Sequence, residues 1–252
     1  MIKIKNQRND GSLFHYAHFI CDCLFVEIVN DIYNYKEVIR EKNINQTIGN
    51  FANIYTEVTG VKNTELLQDD YNKIQHNIKI FKKKEEYAEK KYFDKFRNFI
   101  FNKYNIEYIN NENYPEVILI QRGKRINLID DEILVKINKN ITTGKERREI
   151  KDIDKIEDYL QKKYTNKFKT LILEQISFVE QIKYFNNAKF IICAHGACMS
   201  NMFFCKEGTK ILEIKCDKEW KFFDMISSIL KLDHRKCHIN IYKNIIDKIN
   251  LK

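Results

Sequence analysis

Turn-forming residues are scarce in this chain. The sequence has one proline, Pro115, and only seven glycines among 252 residues, which excludes an architecture made mainly of turns and indicates one built from helices and strands. Hydrophobic residues account for 44% and aromatic residues for 13% of the chain. That is enough for a real core and argues against disorder, although 31% of the residues are charged. The length fits one large domain or two small ones.

Signals for export and membrane insertion are also lacking. The first ten residues, MIKIKNQRND, have no apolar core and cannot act as a signal peptide. No stretch approaches the apolar length of a membrane-spanning helix. The seven cysteines are an odd number, which favours reduced thiols over a set of disulfides. We therefore expect a cytoplasmic protein with no membrane span.

The cysteines and histidines do not form a zinc pattern. Cys21 and Cys23 are separated by a single residue, and the sequence contains no CxxC pair. HRKCH at 234–238 brings two histidines and a cysteine together, but no second half-site of suitable spacing accompanies it. This segment therefore gives no support for a metal site.

The chain has an excess of positive charge. The formal net charge of +9 favours anionic partners such as nucleic acid, phosphate-bearing small molecules or an anionic membrane surface. The lysines are dispersed, and the run KKKEEYAEKK at 82–91 mixes both signs in the manner of a solvated helix face. Because no arginine-rich arm or aromatic–basic ladder occurs, we expect no nucleic-acid partner.

The chain divides into two halves near Asn110–Pro115, and the second half alternates clearly between apolar runs and amphipathic segments. The predicted strands and helices in it are EVILI (116–120), IEDYLQKKY (156–164), KTLILE (169–174), SFVEQIKYF (177–185), KFIIC (189–193) and KILEI (210–214). Fully apolar strands alternating with helices predict a parallel sheet covered on both faces. In such a sheet a ligand binds beyond the carboxyl ends of the strands.

One segment at such a strand end is rich in small side chains. CAHGACMSNMFF, residues 193–204, leaves the strand and begins a short helix. Its small residues let a ligand approach the backbone, and the N–H groups of a helix start favour phosphate. His195 would then donate to a phosphate oxygen or stack near a base, with Asn201 one turn into the helix. The alternative is a tight turn that serves only the packing of helix on strand.

Cys198 in the same segment raises a third interpretation, a nucleophilic cysteine. Neither a G-x-S-x-G type elbow nor a His–acid order typical of a triad accompanies it. The glycines also fail to match the dinucleotide fingerprint and the G-x-x-x-x-G-K-[ST] loop. The segment therefore departs from the common nucleotide and nucleophile motifs.

FNNAKFIICAHGACMSNMFFCKEGTKILEI (185–214) resembles the signature of glycosyltransferase family 61, roughly HGA-x-x-x-N-x-x-F followed by Gly and an I-E-I strand. Similar segments precede it, namely SLFHYAHFICDCL (12–24), VILIQRGKRIN (117–127) and LEQISFVEQIKYF (173–185). Two positions depart from the family pattern. Cys198 stands where a second glycine is common, and the gap between Arg122 and Arg125 is short.

The resemblance implies an α/β fold of the GT-B type, with two Rossmann-like halves and mostly parallel sheets facing across a cleft. Residues 1–112 would form the acceptor-side domain and residues 113–252 the nucleotide-sugar-binding domain. It implies an inverting reaction with a nucleotide-sugar donor, and we expect a glycan as the acceptor. The charge of the two arginines leads us to expect no metal and no cofactor. The donor-binding residues that the resemblance implies are Arg122, Arg125, His195, Gly196, Ala197, Asn201 and Glu213.

Physical arguments also support a role in donor binding for several of these residues. Arg122 at a strand tip and Arg125 in the next loop place fixed positive charge where a leaving diphosphate would need it, although both could be ordinary surface arginines. Glu213 interrupts an apolar strand, so it either accepts hydrogen bonds from ribose hydroxyls or points to solvent at an edge. Glu180, three residues after Ser177, completes a capping box and needs no role in the site.

The N-terminal half supplies candidates for a general base. From Leu13 to Val29 the segment is apolar on almost all sides of a helix, and its ionisable exceptions are His15, His18, Asp22 and Glu27. The first three are spaced i, i+3 and i+7 and therefore form one stripe along the helix. Ionisable groups on such a helix need partners or a water-filled cleft. His15 or Asp22 is therefore our candidate for taking the proton of the acceptor hydroxyl, the alternative being histidines that bond backbone carbonyls in a core.

Three functions remain open from the sequence. The leading one is an inverting glycosyltransferase in glycan or polysaccharide biosynthesis. The others are a Cys198-dependent hydrolase and a catalytically inactive module that binds a nucleotide sugar or a glycan. A chain this short also leaves open a homodimer that completes the cleft.

Overall fold

A computed structural model of the chain describes residues 2–4, 16–29, 38–40, 51–60, 89–108, 112–123, 148–214, 221–237 and 242–250. The chain divides into two compact units. The first comprises Met1–Asn105 and Asn127–Ile141, and the second comprises Ile106–Ile126 and Thr142–Lys252. No helix within these described ranges is both long and apolar enough to cross a bilayer.

The first unit combines two short strands with helices. β1 (Ile2–Ile4) pairs in parallel with β2 (Val38–Arg40). The helical segments are α1 (Tyr16–His18), a π-helical turn (Phe19–Leu24), α2 (Phe25–Val29), α3 (Ala52–Thr59) and α4 (Lys90–Tyr104). Phe25 of α2 packs against Phe93 and Phe96 of α4, with ring centroids 5.4 Å and 5.3 Å apart. All three rings are fully buried and form the aromatic core of this unit.

The second unit contains a five-stranded, all-parallel sheet, as the alternating pattern predicts. Its strands are β3 (Val117–Gln121), β4 (Phe168–Ile172), β5 (Phe190–Ala194), β6 (Lys210–Ile214) and β7 (Asp233–Cys237), in the spatial order β4-β3-β5-β6-β7. The four apolar strands follow the predicted runs closely. β7 was not predicted, because DHRKC is polar. It lies at the sheet edge, where only Cys237 is buried.

Helices cover both faces of this sheet. They are α5 (Ile153–Tyr164), α6 (Phe178–Asn187), a 3-10 helix (Ala197–Phe204), α7 (Phe222–Ile229) and α8 (Tyr242–Asn250). Leu212 and Ile214 of β6 belong to the apolar cluster under α5 and α8. Because side chains alternate along a strand, Ile211 and Glu213 lie on the opposite face, which the 3-10 helix and α7 help to cover.

The start of α6 has the predicted cap. Ser177 Oγ accepts a hydrogen bond from the backbone N–H of Glu180 at 3.2 Å. The Glu180 carboxylate accepts a hydrogen bond from the Tyr114 hydroxyl at 3.2 Å and pairs with Lys183 at 3.1 Å. The Ser177 half of the predicted capping box is therefore present, whereas among the described residues the Glu180 carboxylate bonds Tyr114 and Lys183 and not the backbone N–H of Ser177.

The order of the strands creates a crevice at one end of the sheet. The chain passes from β3 outward to β4, then returns to place β5 on the other side of β3. The connections that leave β3 and β5 therefore run in opposite directions, and the carboxyl ends of these two strands form the topological switch point where doubly wound sheets bind ligands.

Candidate functional site

The turn after β5 lies at this switch point. The His195 N–H donates to the Ile214 carbonyl at 2.9 Å, so the turn continues the pairing of β5 with β6. The chain then enters the predicted short helix, which is a 3-10 helix rather than an α-helix. Its first bond runs from the N–H of Met199 to the Gly196 carbonyl at 3.1 Å. His195 and Gly196 are buried, whereas Ala197 and Cys198 are half-buried.

Two arginine side chains lie against Gly196. A Cβ atom at this position would be 3.6 Å from Nη1 of Arg122 and 3.9 Å from Nη1 of Arg148. Arg122 directly follows β3, as predicted from the strand tip. Arg148 is only 8% exposed, and its Nη1 donates to the His195 carbonyl at 3.1 Å. A Cβ atom would make only ordinary contacts at these distances, so the arginines do not require glycine here, but both guanidinium groups lie beside the backbone of the turn.

Arg148 was not predicted. It lies in a charged stretch ahead of α5, 47 residues from His195, and no motif distinguishes it from its neighbours. Arg125, the second arginine predicted for this site, lies outside the described residues. The positive charge that the structure brings to the turn therefore comes from Arg122 and Arg148.

Gly123 explains how Arg122 reaches its place. A Cβ atom at Gly123 would lie 3.1 Å from Cγ2 of Ile172 and 3.2 Å from Oε2 of Glu174. Both distances are tighter than ordinary contacts, so glycine allows the chain after β3 to pass close to the end of β4.

A cavity of about 190 Å³ opens beside the two arginines. Its lining includes Arg122, Arg148, Gln121, Asp154 and Ala194, and its size suits a phosphate group. A larger cavity of about 550 Å³ lies at the amino ends of β5, β6 and β7. That end of the sheet is opposite the turn, so we place the candidate site at the smaller cavity.

Glu213 sits in the core between two histidines. It has no exposed surface; its Oε1 is hydrogen-bonded to Nδ1 of His195, and its Oε2 lies 2.8 Å from Nε2 of His234. Burial raises the pKa of Glu213, but the hydrogen bonds from His195 and His234, with the electrostatic interaction of the two rings, outweigh it and bring the pKa to about 2. The alternative that Glu213 points to solvent is wrong, because β6 is an inner strand. Its predicted contact with a ribose stays a prediction.

His234 was missed as a partner of this carboxylate. The segment HRKCH is polar and resembles only half of a zinc pattern, so nothing in the sequence indicates a strand there. In the parallel register His234 stands opposite Ile211, so its side chain lies on the same face as Glu213, two residues further along β6. Strand pairing alone brings the two groups together.

Glu213, His234 and Asp224 lie close enough together to raise the question of a metal site. The ring of His234 directs Nε2 to Glu213 and Nδ1 to Asp224, the latter 3.5 Å from Oδ1. One ring thus bridges two carboxylates from opposite sides, and the Lys236 ammonium also pairs with Asp224. One nitrogen of His234 and one oxygen of each carboxylate lie within 4.8 Å of one another, a spacing that a metal ion could use. Because the two ring nitrogens already face Glu213 and Asp224, and Lys236 pairs with Asp224, we interpret the arrangement as an ion network. The expected independence from metal stays a prediction.

Asn201 has a partner inside the protein. It is fully buried, and its Nδ2 donates to Oε1 of Gln181 at 3.1 Å. Gln181 Nε2 in turn donates to the Leu173 carbonyl at 3.0 Å. Asn201 therefore ties the 3-10 helix to α6. Its predicted role in donor binding is untested.

Asn201→Ala is expected to destabilise the protein by about 1–3 kcal/mol, because it removes a fully buried amide and leaves the side-chain carbonyl of the half-buried Gln181 without this donor. Urea unfolding measures the loss. Asn166→Ala removes an exposed asparagine and should cost less than about 0.5 kcal/mol. Equal stability of Asn201→Ala and wild type would contradict the tie between the two helices.

The Cys198 thiol lies near Cys193 and Arg122. A hydrogen bond with the Cys193 thiol and the charge of Arg122 lower the pKa of Cys198, although burial opposes the shift. The same hydrogen bond and burial raise the pKa of Cys193. Sγ of Cys198 also contacts the Ala194 carbonyl at 3.7 Å. In the part of the chain that the structure describes, no histidine nitrogen is hydrogen-bonded to Cys198, so a nucleophilic cysteine would lack its base.

The base candidates of the N-terminal half are not tested by the structure. His15 lies outside the described residues. Asp22 belongs to the π-helical turn, and the structure describes its backbone only. His18 is half-buried. Their proposed role in proton transfer stays a prediction.

Comparison with known proteins identifies the family. The sequence model of the family Glycosyltransferase 61 matches residues 16–212, more than three quarters of the chain. The matched stretch includes β3, β4 and β5, Arg122, Arg148 and the whole turn from His195 to Phe204. No curated protein matches the sequence. The extent of the family match nevertheless shows that the chain belongs to the glycosyltransferase 61 family.

Proposed function

We propose that the protein transfers a sugar from a nucleotide-sugar donor to an acceptor hydroxyl, with inversion at the anomeric carbon, in the synthesis of a glycan or polysaccharide. The observation that carries this proposal is the pair of guanidinium groups, Arg122 and Arg148, against Gly196 at the switch point. Two fixed cations beside a phosphate-sized cavity fit the diphosphate of a nucleotide sugar.

The chemistry of transfer explains why such cations matter. When the bond between the anomeric carbon and the phosphate oxygen breaks, the electron pair stays on the diphosphate, whose negative charge grows. Preorganised guanidinium groups stabilise that charge without any reorganisation. The backbone N–H groups at the start of the 3-10 helix Ala197–Phe204 add positive potential.

The rest of the reaction involves the acceptor. Its hydroxyl oxygen forms the new bond to the anomeric carbon, and its proton passes to a general base, for which His15 or Asp22 is proposed. In this proposal the second unit is the donor-binding half of a GT-B architecture and the first unit is the acceptor-side half. The reaction needs no metal, because the arginines supply the charge.

The first test is thermal stability with EDTA present. We expect one of UDP, GDP, CDP and dTDP to raise the melting temperature, since a ligand that binds only the folded state stabilises it by about 2.7 kcal/mol at a hundredfold excess over its Kd. Arg148→Ala should lose the shift. Arg235→Ala, which removes an arginine of β7 that pairs with Asp233, should keep it. No shift with any nucleotide at millimolar concentration would reject the proposal.

The same material separates the two alternatives. A hydrolase that depends on Cys198 would be inactivated by iodoacetamide and by Cys198→Ser, and nucleotide would not stabilise it. An inactive binding module would show the nucleotide shift but release no nucleoside diphosphate from any nucleotide sugar. The transferase alone predicts both stabilisation and release.

A further inference from the structure

The Glu213 cluster extends beyond the residues that the family model matches. The family match ends at residue 212, whereas both Glu213 and His234 come later in the chain. The cluster therefore has to be understood from its own contacts. It consists of a fully buried carboxylate, the His195 ring with a side chain 6% exposed, and the His234 ring with a side chain 4% exposed.

The hydrogen bonds determine where the protons of His234 lie. The Ser227 hydroxyl donates its single hydrogen to the Asp224 carbonyl at 2.9 Å, so at its 3.1 Å contact with His234 Nδ1 it can only accept. At the other side of the ring, the ionised Glu213 carboxylate can only accept from Nε2. Both ring nitrogens of His234 therefore carry a hydrogen, and the ring is an imidazolium.

The same reasoning assigns the tautomer of His195. Its Nδ1 donates to Oε1 of Glu213, and no hydrogen bond to its Nε2 is made in the described part of the chain. One imidazolium, that of His234, already balances the single carboxylate. The hydrogen bonds thus require no charge on His195, whose Nε2 keeps a lone pair. The Phe223 ring packs edge-on against the imidazole, with centroids 5.5 Å apart, and restricts its rotation.

Charged groups surround this ring from several elements. Arg148 donates to the His195 carbonyl, and Arg122 lies against the next residue. On the far side of Glu213, Lys236 of β7 pairs with Asp224 of α7, so these two charges offset each other. The thiols of Cys193 and Cys198 lie on the same face of the sheet as Glu213 or close to it. Carboxylates also lie on the arginine side, with Glu174 beside Gly123 and Glu149 and Asp154 in the lining of the small cavity. The cations next to His195 itself are Arg148, which donates to its carbonyl, and Arg122 beside Gly196.

We propose that His234 is a positioning residue: as an imidazolium it balances Glu213, so that Glu213 holds His195 neutral with Nε2 as the proton acceptor of the site. This inference rests on the proposed function for the identity of the ligand. The proposal places a phosphate oxygen of the nucleoside diphosphate against Nε2. A neutral Nε2 has no hydrogen to give, so binding is accompanied by uptake of one proton there, and the new Nε2–H group donates to that oxygen.

The sign of the pH effect follows from this proton. Free protein lacks it and the complex holds it, so the affinity for a nucleoside diphosphate falls as pH rises. Replacement of His234 by glutamine keeps an N–H donor for Glu213 but removes the positive charge. His195 then becomes the counter-ion of Glu213 and carries both protons before any ligand binds.

Nitrogen-15 NMR of the imidazole rings tests the assignment without ligand. At neutral pH, wild-type His234 should show two protonated nitrogens, and His195 should show one protonated and one unprotonated nitrogen. His234→Gln should convert His195 to the doubly protonated form. Arg235→Gln, a change one position along the same strand and outside the cluster, should leave the His195 signals as in wild type.

The outcomes separate this inference from the proposed function. An unprotonated nitrogen on His234, or a doubly protonated His195 in the ligand-free wild type, overturns the inference. So does an unprotonated Nε2 in the complex with whichever of UDP, GDP, CDP and dTDP stabilises the protein. If none of them binds, the proposed function fails, while the ring states still decide the positioning role. The wild-type spectrum suffices if His234→Gln does not fold.

Discussion

Arg122→Gln is expected to lower the turnover number for sugar transfer by about two to three orders of magnitude, the loss typical when one preorganised group that stabilises developing charge is removed. Arg122 follows β3 at the switch point and lies within reach of the backbone of Gly196. Glutamine keeps much of the side-chain volume but cannot hold a positive charge against the leaving diphosphate. The largest effect should therefore fall on turnover, with a smaller effect on KM.

Release of nucleoside diphosphate from the nucleotide sugar measures this prediction. Arg122→Lys should recover only part of the activity, because an ammonium cannot form two parallel hydrogen bonds to a phosphate. Arg235→Gln serves as the control for loss of an arginine elsewhere. The melting temperature of Arg122→Gln without ligand should stay near that of wild type, since Arg122 is half-buried. Turnover within threefold of wild type would remove Arg122 from the site.

Glu213→Ala is expected to cause the largest loss of stability, about 3–5 kcal/mol, because it leaves two nearly buried histidines without the carboxylate that they share. The melting temperature should fall by about 2–4 °C for each kcal/mol lost in a chain of this size. Thermal unfolding measures the change. Glu207→Ala is the matched control, since Glu207 forms an exposed pair with Lys231 and should contribute less than about 1 kcal/mol.

The pH dependence of stability provides a second measurement on the same residue. The pKa of Glu213 is lowered from the ordinary value of 4.5 to about 2 in the folded protein. Its stabilising contribution is therefore complete above the ordinary pKa and is lost as pH falls from about 5 towards 2. Glu213→Gln should show a smaller decline over that range than wild type. Parallel declines in the two proteins would contradict the charged state of Glu213.

Most of the sheet could be predicted because of where its strands lie. β3, β5 and β6 are inner strands, covered by helices on both faces, so their sequences are apolar runs that stand out between amphipathic helices. β7 has a neighbouring strand on one side only, and its sequence, DHRKC, contains no apolar run. A polar edge strand has no such signature, and for that reason the position of His234 was missed.

The candidate site was predictable to the extent that it follows from strand ends. Arg122 and the His195 turn each come directly after an apolar run, and parallel strands bring their carboxyl ends to one edge. Arg148 comes from the connection before α5 and reaches the turn only through the folded chain. A single arginine in a charged stretch carries no periodicity or motif that would assign it to a site.

The parallel sheet, the edge where we expect a ligand, and the family could be predicted from local patterns of apolar and small residues. Which groups share the candidate site depends instead on how the chain folds. The tertiary structure placed Arg148 beside Arg122 at Gly196 and joined Glu213 to two histidines, 18 residues before it and 21 residues after it in the chain. The physical reason is that burial of a charge demands partners, and strand register, rather than proximity in sequence, determines which residues are near enough to supply them.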